Sequence, residues 1–143
     1  MKRGFELINE KGIIPTRATI GSAGYDFYLP EDITLFPHET KLIPTYIKAY
    51  MDSNEVLLLT IRSSIAVKRH LVLANQIGII DSDYYQNPDN DGHIQIALYN
   101  QSPETIHLSR NERIVQGIFT NYLTTDQDVA HQSRKGGFGS SNS

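Results

Sequence analysis

Short apolar runs with a period of two, broken at regular intervals by turn residues, constrain this chain more than any other feature. Ile43, Thr45, Ile47, Ala49 and Met51 fall on one face of an extended segment. Ile94, Ile96 and Leu98 alternate with Gln95, Ala97 and Tyr99. Successive side chains of a strand point to opposite faces, so this alternation predicts half-buried strands. Ile33-Thr-Leu-Phe36 predicts another. Val56-Leu-Leu-Leu-Thr-Ile61 is a continuous apolar run, as expected of a strand covered on both faces. Ile77-Gly-Ile-Ile80 is similar, and Ile114-Val-Gln-Gly-Ile-Phe119 follows. Turn signals recur about every ten residues: Pro30-Glu-Asp32, Phe36-Pro-His38, Asp52-Ser-Asn54, Asn90-Asp-Gly92 and Ser102-Pro-Glu104. One short helix is expected, with Ser63 or Ser64 as cap for Ile65-Ala-Val-Lys-Arg-His70 and Lys68, Arg69 and His70 suiting its C-terminus. Many short strands and one small helix predict an all-β barrel, sandwich or jelly roll.

A length of 143 residues suits one such domain with its own core. Cysteine is absent, which removes disulfide scaffolds, thiolate-bound zinc and thiol nucleophiles. No apolar run reaches the length of a bilayer span. Met1-Lys-Arg-Gly4 is not followed by the apolar stretch of an export signal, so the expected location is the cytoplasm. A net charge of −3 argues against a broad electrostatic grip on nucleic acid but leaves room for a local basic pocket. Apolar residues thin out from Thr124. We expect residues 1–125 to form the body and Asp126–Ser143, rich in Gly and Ser, to form a flexible arm. A frayed terminus would look much the same. Arg134 and Phe138 argue for more, because a plain linker seldom carries a planar cation and a large ring.

Several chemistries are missing. There is no phosphate loop, no dinucleotide fingerprint and no nucleophile elbow. The five histidines are scattered and form no helical metal pair. Asn87-Pro-Asp-Asn-Asp-Gly92 begins like a calcium loop, but Leu98 stands where the bidentate Glu belongs. Asp91-Gly92 is better explained as a hairpin turn.

Four segments place polar groups where strands should not. Ser22-Ala-Gly-Tyr-Asp26 sets a glycine beside an acid, which an ordinary turn also does. Arg62-Ser63-Ser64 ends an apolar run at a helix start, so guanidinium, hydroxyls and free backbone N–H groups aim donors one way. A helix cap with a surface arginine is the plainer alternative. In Asn75-Gln-Ile-Gly-Ile-Ile-Asp81-Ser-Asp-Tyr84, Asp81 stands at the mouth of an apolar hairpin and can serve as general base for a water. A satisfied turn aspartate is the alternative there. Gly78 suggests a close approach of backbone to some neighbour. In the fourth segment, Phe138 could stack over a flat ligand while Arg134 clamps phosphate. Arg113 and Gln116 add polar groups to a strand, although Glu112-Arg113 also fits a surface ion pair of little worth.

Five of these pieces occur in the order of a known family. Ala23-Gly-Tyr-Asp26, Arg62-Ser-Ser64, Gly78-Ile-Ile-Asp-Ser-Asp-Tyr84, Glu112-Arg-Ile-Val-Gln116 and Gly136-Gly-Phe-Gly-Ser-Ser141 resemble the motifs of homotrimeric dUTPases, over nearly the whole chain. The resemblance implies a distorted jelly roll or β-barrel whose three subunits build three sites at their interfaces. It implies hydrolysis of dUTP to dUMP and pyrophosphate. Asn75, Gly78, Ile79, Ile80 and Gln95 match positions that read uracil, largely through backbone groups. Tyr84 matches the aromatic that packs on deoxyribose and excludes a 2′-hydroxyl. Asp81 matches the carboxylate that activates water against the α-phosphorus. Arg62, Ser63, Ser64 and Gln116 match phosphate contacts. Phe138 matches the ring that covers uracil, and Arg134, Ser140 and Ser141 lie where the arm holds the γ-phosphate. Mg2+ would arrive on the triphosphate with waters completing its shell, and Asp26 would stand behind those waters or serve structure alone.

The chain also departs from the family pattern. Tyr85-Gln86 replace the usual Arg or Gln followed by Gly, residues 87–92 look inserted, Arg134 lies one residue nearer the Gly-Gly-Phe than in many members, and Ser64 replaces a frequent Gly. Two rivals remain. A dCTP deaminase shares the fold but carries a catalytic Glu on the strand after the hairpin, where residues 93–100 hold no acid. The other is a regulatory protein built on the dUTPase fold, for which the 87–92 insertion would offer a surface.

Overall fold

A computed structural model describes residues 2–130 and 134–137. It contains twelve strands among those residues: β1 (Gly4–Leu7), β2 (Thr16–Arg17), β3 (Tyr25–Tyr28), β4 (Ile33–Leu35), β5 (Thr40–Pro44), β6 (Ile47–Tyr50), β7 (Glu55–Ile61), β8 (Leu71–Leu73), β9 (Gly78–Asp81), β10 (Gln95–Asn100), β11 (Ile106–Leu108) and β12 (Arg113–Asn121). Helix α1 (Ser63–Arg69) follows β7, and one 3₁₀ turn, Ser82–Tyr84, follows β9. The strands form a five-stranded sheet ordered β2-β3-β12-β7-β9, a three-stranded sheet ordered β5-β10-β8, and the pairs β1-β6 and β4-β11. Every pairing is antiparallel. The arrangement is jelly-roll-like. The sheets do not close into a barrel, so that part of the expectation falls.

Alternation builds the core. Ile96, Leu98 and Asn100 of β10 point inward while Gln95, Ala97 and Tyr99 are half exposed. Leu57 and Leu59 of β7 join Phe27 of β3 and Val115 of β12 in the main cluster. Burying one such side chain stabilises the fold by about 1.5–3 kcal/mol. The fully buried Asn100 is tolerated because its amide is satisfied: Nδ2 donates to the carbonyls of Phe36 at 3.1 Å and Glu104 at 2.7 Å, and Oδ1 accepts from the Ser102 N–H at 2.9 Å.

Three local expectations are corrected. The alternating segment 43–51 is two strands rather than one. Tyr46 adopts φ 59°, which turns the chain, so β5 pairs with β10 while β6 pairs with β1. Arg62 rather than a serine occupies the cap position of α1, and no side-chain cap bond forms there. The apolar hairpin around Gly78 is not a paired hairpin, since β8 lies on β10 and β9 lies on β7. The turn between them carries the chain from one sheet to the other.

Candidate functional site

That crossing opens a cleft. Two strands consecutive in sequence leave for different sheets, and the gap between them cannot close. The cleft has a volume of about 280 Å³ and is lined by Leu59 of β7, Asn75, Ile77, Gly78, Ile79, Ile80 and Asp81 around β9, Tyr84, Gln95 of β10, and Arg134 and Gly137 of the arm. Among the described residues β9 is a sheet edge, paired on its β7 side. Its other side therefore carries backbone donors and acceptors that need partners. Ile79 is 63% exposed, which is unusual for a central apolar strand residue. The close approach made at Gly78 is to Leu59, whose Cβ would lie 3.1 Å from a Cβ at position 78.

Asp81 ends β9 at the entrance to the 3₁₀ turn, with its side chain about half exposed. Arg134 donates from Nε to Asp83 Oδ1 at 2.7 Å and from a terminal nitrogen to Asp81 Oδ2. The arm is seated beside the cleft by two further contacts. The Asp89 N–H donates to the Lys135 carbonyl at 3.0 Å, and Gly137 packs against the Tyr84 ring. Tyr84 is 6% exposed, and burial pushes its hydroxyl above the ordinary phenol range. That hydroxyl stays protonated and donates to the His93 carbonyl at 2.6 Å. The imidazole of His93 accepts at Nε2 from the Tyr46 N–H at 2.9 Å, and burial lowers its pKa.

A second cavity, of about 270 Å³, is lined by Ala18, Ser22, Gly24, Asp26, Arg62, Ser63, Ser64 and Gln116. Asp26 of β3 is 6% exposed and lies opposite Gln116 in the β3–β12 register. It holds Arg62 Nε at 3.5 Å on one oxygen and Arg113 at 3.4 Å on the other. Two guanidiniums on one carboxylate leave a net positive charge at the cavity wall, which suits an anion. The plainer alternative of a Glu112–Arg113 ion pair does not hold: Glu112 pairs with Arg69 at 3.4 Å and Arg113 with Asp26. Sequence reasoning missed Ala18, which carries no signal apart from its neighbourhood, and singled out the Ser22–Asp26 segment without giving Ser22 itself a role.

The structure thus gathers Asn75, Gly78, Ile79, Ile80, Asp81, Tyr84, Gln95 and Arg134 in one cavity and Arg62, Ser63, Ser64 and Gln116 in another. Phe138, Ser140 and Ser141 lie outside the described residues. The two groups are far apart within one chain. Asp81 stands opposite Val56 at the start of β7, while Arg62 follows its last residue. Six residues of strand separate those levels by about 20 Å.

A sequence profile described as dUTPase matches residues 10–142. The chain belongs to the dUTPase family. It is 46% identical to the deoxyuridine 5′-triphosphate nucleotidohydrolase of Lactococcus lactis subsp. lactis (strain IL1403), over 96% of each chain. It is 35% identical to the enzyme of the same name from Neisseria meningitidis serogroup A, covering 90% of this chain and 87% of that one. Among solved structures, the dUTPase from Streptococcus mutans is 44% identical with a TM-score of 0.81, covering 86% of this chain and 98% of the other. A mutant dUTPase from phage phi11 of S. aureus, described with a structural Mg(II) ion, is 22% identical with a TM-score of 0.77 over 92% of this chain and 98% of that one. At that identity the likeness speaks for the fold alone.

Proposed function

We propose that this chain hydrolyses dUTP to dUMP and pyrophosphate by in-line attack of a water, activated by Asp81, on the α-phosphorus. This activity would limit uracil in DNA and supply dUMP. The observation that carries the reading is the placement of Asp81. It closes the free edge of β9, at the mouth of the cleft whose wall is backbone and whose side is Tyr84. A base bound along that edge would set its sugar against Tyr84 and its α-phosphate near the carboxylate. The backbone groups on the free side of β9, with Asn75 and Gln95, suit the fixed donor and acceptor pattern of uracil. Cytosine would leave buried polar groups unmatched, and a 5-methyl would meet the strand wall.

The chemistry needs positioning and charge neutralisation rather than a covalent nucleophile. Arg62, Ser63, Ser64 and Gln116 supply donors for phosphate oxygens. At about 20 Å along β7, these donors cannot reach a phosphate lying against the same chain's Asp81. This separation supports a site assembled between subunits, in a homotrimer with interfacial sites. Asp26 has both oxygens committed to arginines, so the donor set fits Mg2+ held by the triphosphate and its waters, not by this chain. When bound, the ion would neutralise charge on the phosphate oxygens. Residues 126–143 act as an arm that closes over the nucleotide, Phe138 over the base and Arg134, Ser140 and Ser141 towards the γ-phosphate. An incoming triphosphate competes for the guanidinium that Asp81 and Asp83 hold. No helix among the described residues is long and apolar enough to cross a membrane, and we place the enzyme in the cytoplasm with its nucleotide.

The deaminase alternative lacks its acid, because β10 carries no Asp or Glu. Incubation with dUTP, dCTP or dTTP and Mg2+ tests the reading. Pyrophosphate from dUTP alone is expected. Ammonia from dCTP, or no reaction with any of the three, would overturn it.

A further inference from the structure

The 87–92 segment, which the family pattern does not explain, is a closed hydrogen-bonded scaffold behind Tyr84. Asn87 is 5% exposed. Its Oδ1 accepts from the N–H groups of Asp89 at 3.0 Å and Asn90 at 3.1 Å, and its Nδ2 donates to the Tyr84 carbonyl at 2.7 Å. Asn90 Oδ1 accepts from the Gly92 N–H at 3.1 Å and from Asn87 Nδ2 at 2.7 Å. Backbone N–H groups can only donate, so these partners fix which amide atom is oxygen. The remaining amide group, Asn90 Nδ2, then points to Tyr84 Oη at 2.8 Å. Tyr84 spends its own proton on the His93 carbonyl. A phenol with donor and acceptor both used, at partners fixed by backbone, has one ring pose. The loop is itself anchored. Lys48 pairs with Asp91 at 2.8 Å, and the Tyr85 hydroxyl, pushed up to about 12 by its bond to Glu6, ties the neighbouring residue to β1.

We infer that Asn90, braced by Asn87, is a positioning residue that holds the Tyr84 ring where it excludes the 2′-hydroxyl of a ribonucleotide. The insertion is a specificity element of this chain. The inference rests on the dUTP reading, because it is Tyr84's place beside the sugar that turns ring pose into discrimination. A ring held at one end by two bonds cannot tilt to admit an extra oxygen. Freed of one bond, it gains that tilt, and the barrier against UTP falls.

The test compares kcat/KM for dUTP and UTP in the wild type, Asn90→Asp, Tyr84→Phe and the double variant. Asn90→Asp keeps the acceptor that closes the turn but replaces the donor to Tyr84 by a carboxylate oxygen, which the phenol can hold only by giving up its bond to the His93 carbonyl, so one of the two bonds is lost. One hydrogen bond of ordinary worth predicts a fall in the dUTP/UTP ratio of a few-fold to about tenfold. The fall should come through a gain on UTP, which general destabilisation would not produce. In the double variant, Asn90→Asp should add nothing to Tyr84→Phe, since the bond is already gone. Tyr84→Phe leaves the loop sequence intact and removes both bonds at the end of the ring, so it tests whether those bonds hold the ring if Asn90→Asp does not fold. A wild type inactive on dUTP would sink the underlying reading. A dUTP-selective wild type whose ratio is unmoved in either single variant would overturn this inference alone.

Discussion

Asp81 is a carboxylate with two masters in this structure. Its position at the cleft suits proton abstraction from water, yet Arg134 donates to it. Under the proposed function a base so engaged would be released when that guanidinium turns to the triphosphate. Replacing Asp81 by Asn should keep nucleotide affinity and lower kcat by about 10²- to 10⁴-fold. Equilibrium binding of a non-hydrolysable dUTP analogue measures the first and turnover the second, and loss of both together would make the residue structural. His93 makes a separate, pH-dependent contribution. Burial lowers its pKa in the folded state, so the unfolded chain binds the proton more readily. The stability it confers is full above the ordinary value near 6.5 and is lost as pH falls through the lowered folded value. The unfolding temperature should drop across that window, and His93→Gln should flatten the slope. A wild-type profile flat below neutrality would contradict the assignment. Some single residues were legible as types and some were not. Asp81 ends an apolar run, an anomaly visible in the string. Asn87 and Asn90 read as ordinary turn residues, because an amide facing its own loop and one facing solvent have the same letters.

At the scale of elements, the phosphate cavity depends on the close contact of β3 with β12. Gly24, just before β3, lies where a Cβ would meet Gln116 Oε1 at 2.5 Å. A glycine there lets the Gln116 amide stay over the cavity. Gly24→Ala should displace that amide, cost some stability because the new methyl also lies 3.0 Å from Gln116 Cβ, and raise KM for dUTP by about tenfold or more, the worth of a hydrogen bond to a charged group. Steady-state kinetics beside a thermal melt check this, and an unchanged KM would place Gln116 outside the phosphate contacts. Strand existence was largely readable from period two, whereas partnership was not. Ile43 to Met51 keep one alternation through two strands, because the turn at Tyr46 preserves the side-chain parity while changing the sheet. β8 and β9 look like a hairpin in sequence, and their division between sheets depends on packing against β10 and β7, which periodicity does not encode.

In the whole molecule, Asp81 and Arg62 sit at opposite ends of β7, each beside its own cavity. One holds Asp81, the edge of β9 and Tyr84; the other holds Arg62 and its serines. Five motifs in order pointed to sites shared between subunits only through the family resemblance, because a linear string carries no distances. The separation of Asp81 from Arg62 along β7 supports that reading. The central claim is that Asp81 of one subunit acts on a nucleotide whose phosphates are held by Arg62 of another. It is tested most directly by mixing two inactive variants, Asp81→Asn and Arg62→Ala, unfolding and refolding them together, and measuring pyrophosphate release from dUTP. Each variant alone should be inactive, and equal mixing should restore about a quarter of the sites, those in which an intact Asp81 meets an intact Arg62 from a different chain. A mixture as silent as its parents, with mixed oligomers shown to be present, would mean that both residues must come from one chain and would contradict the account.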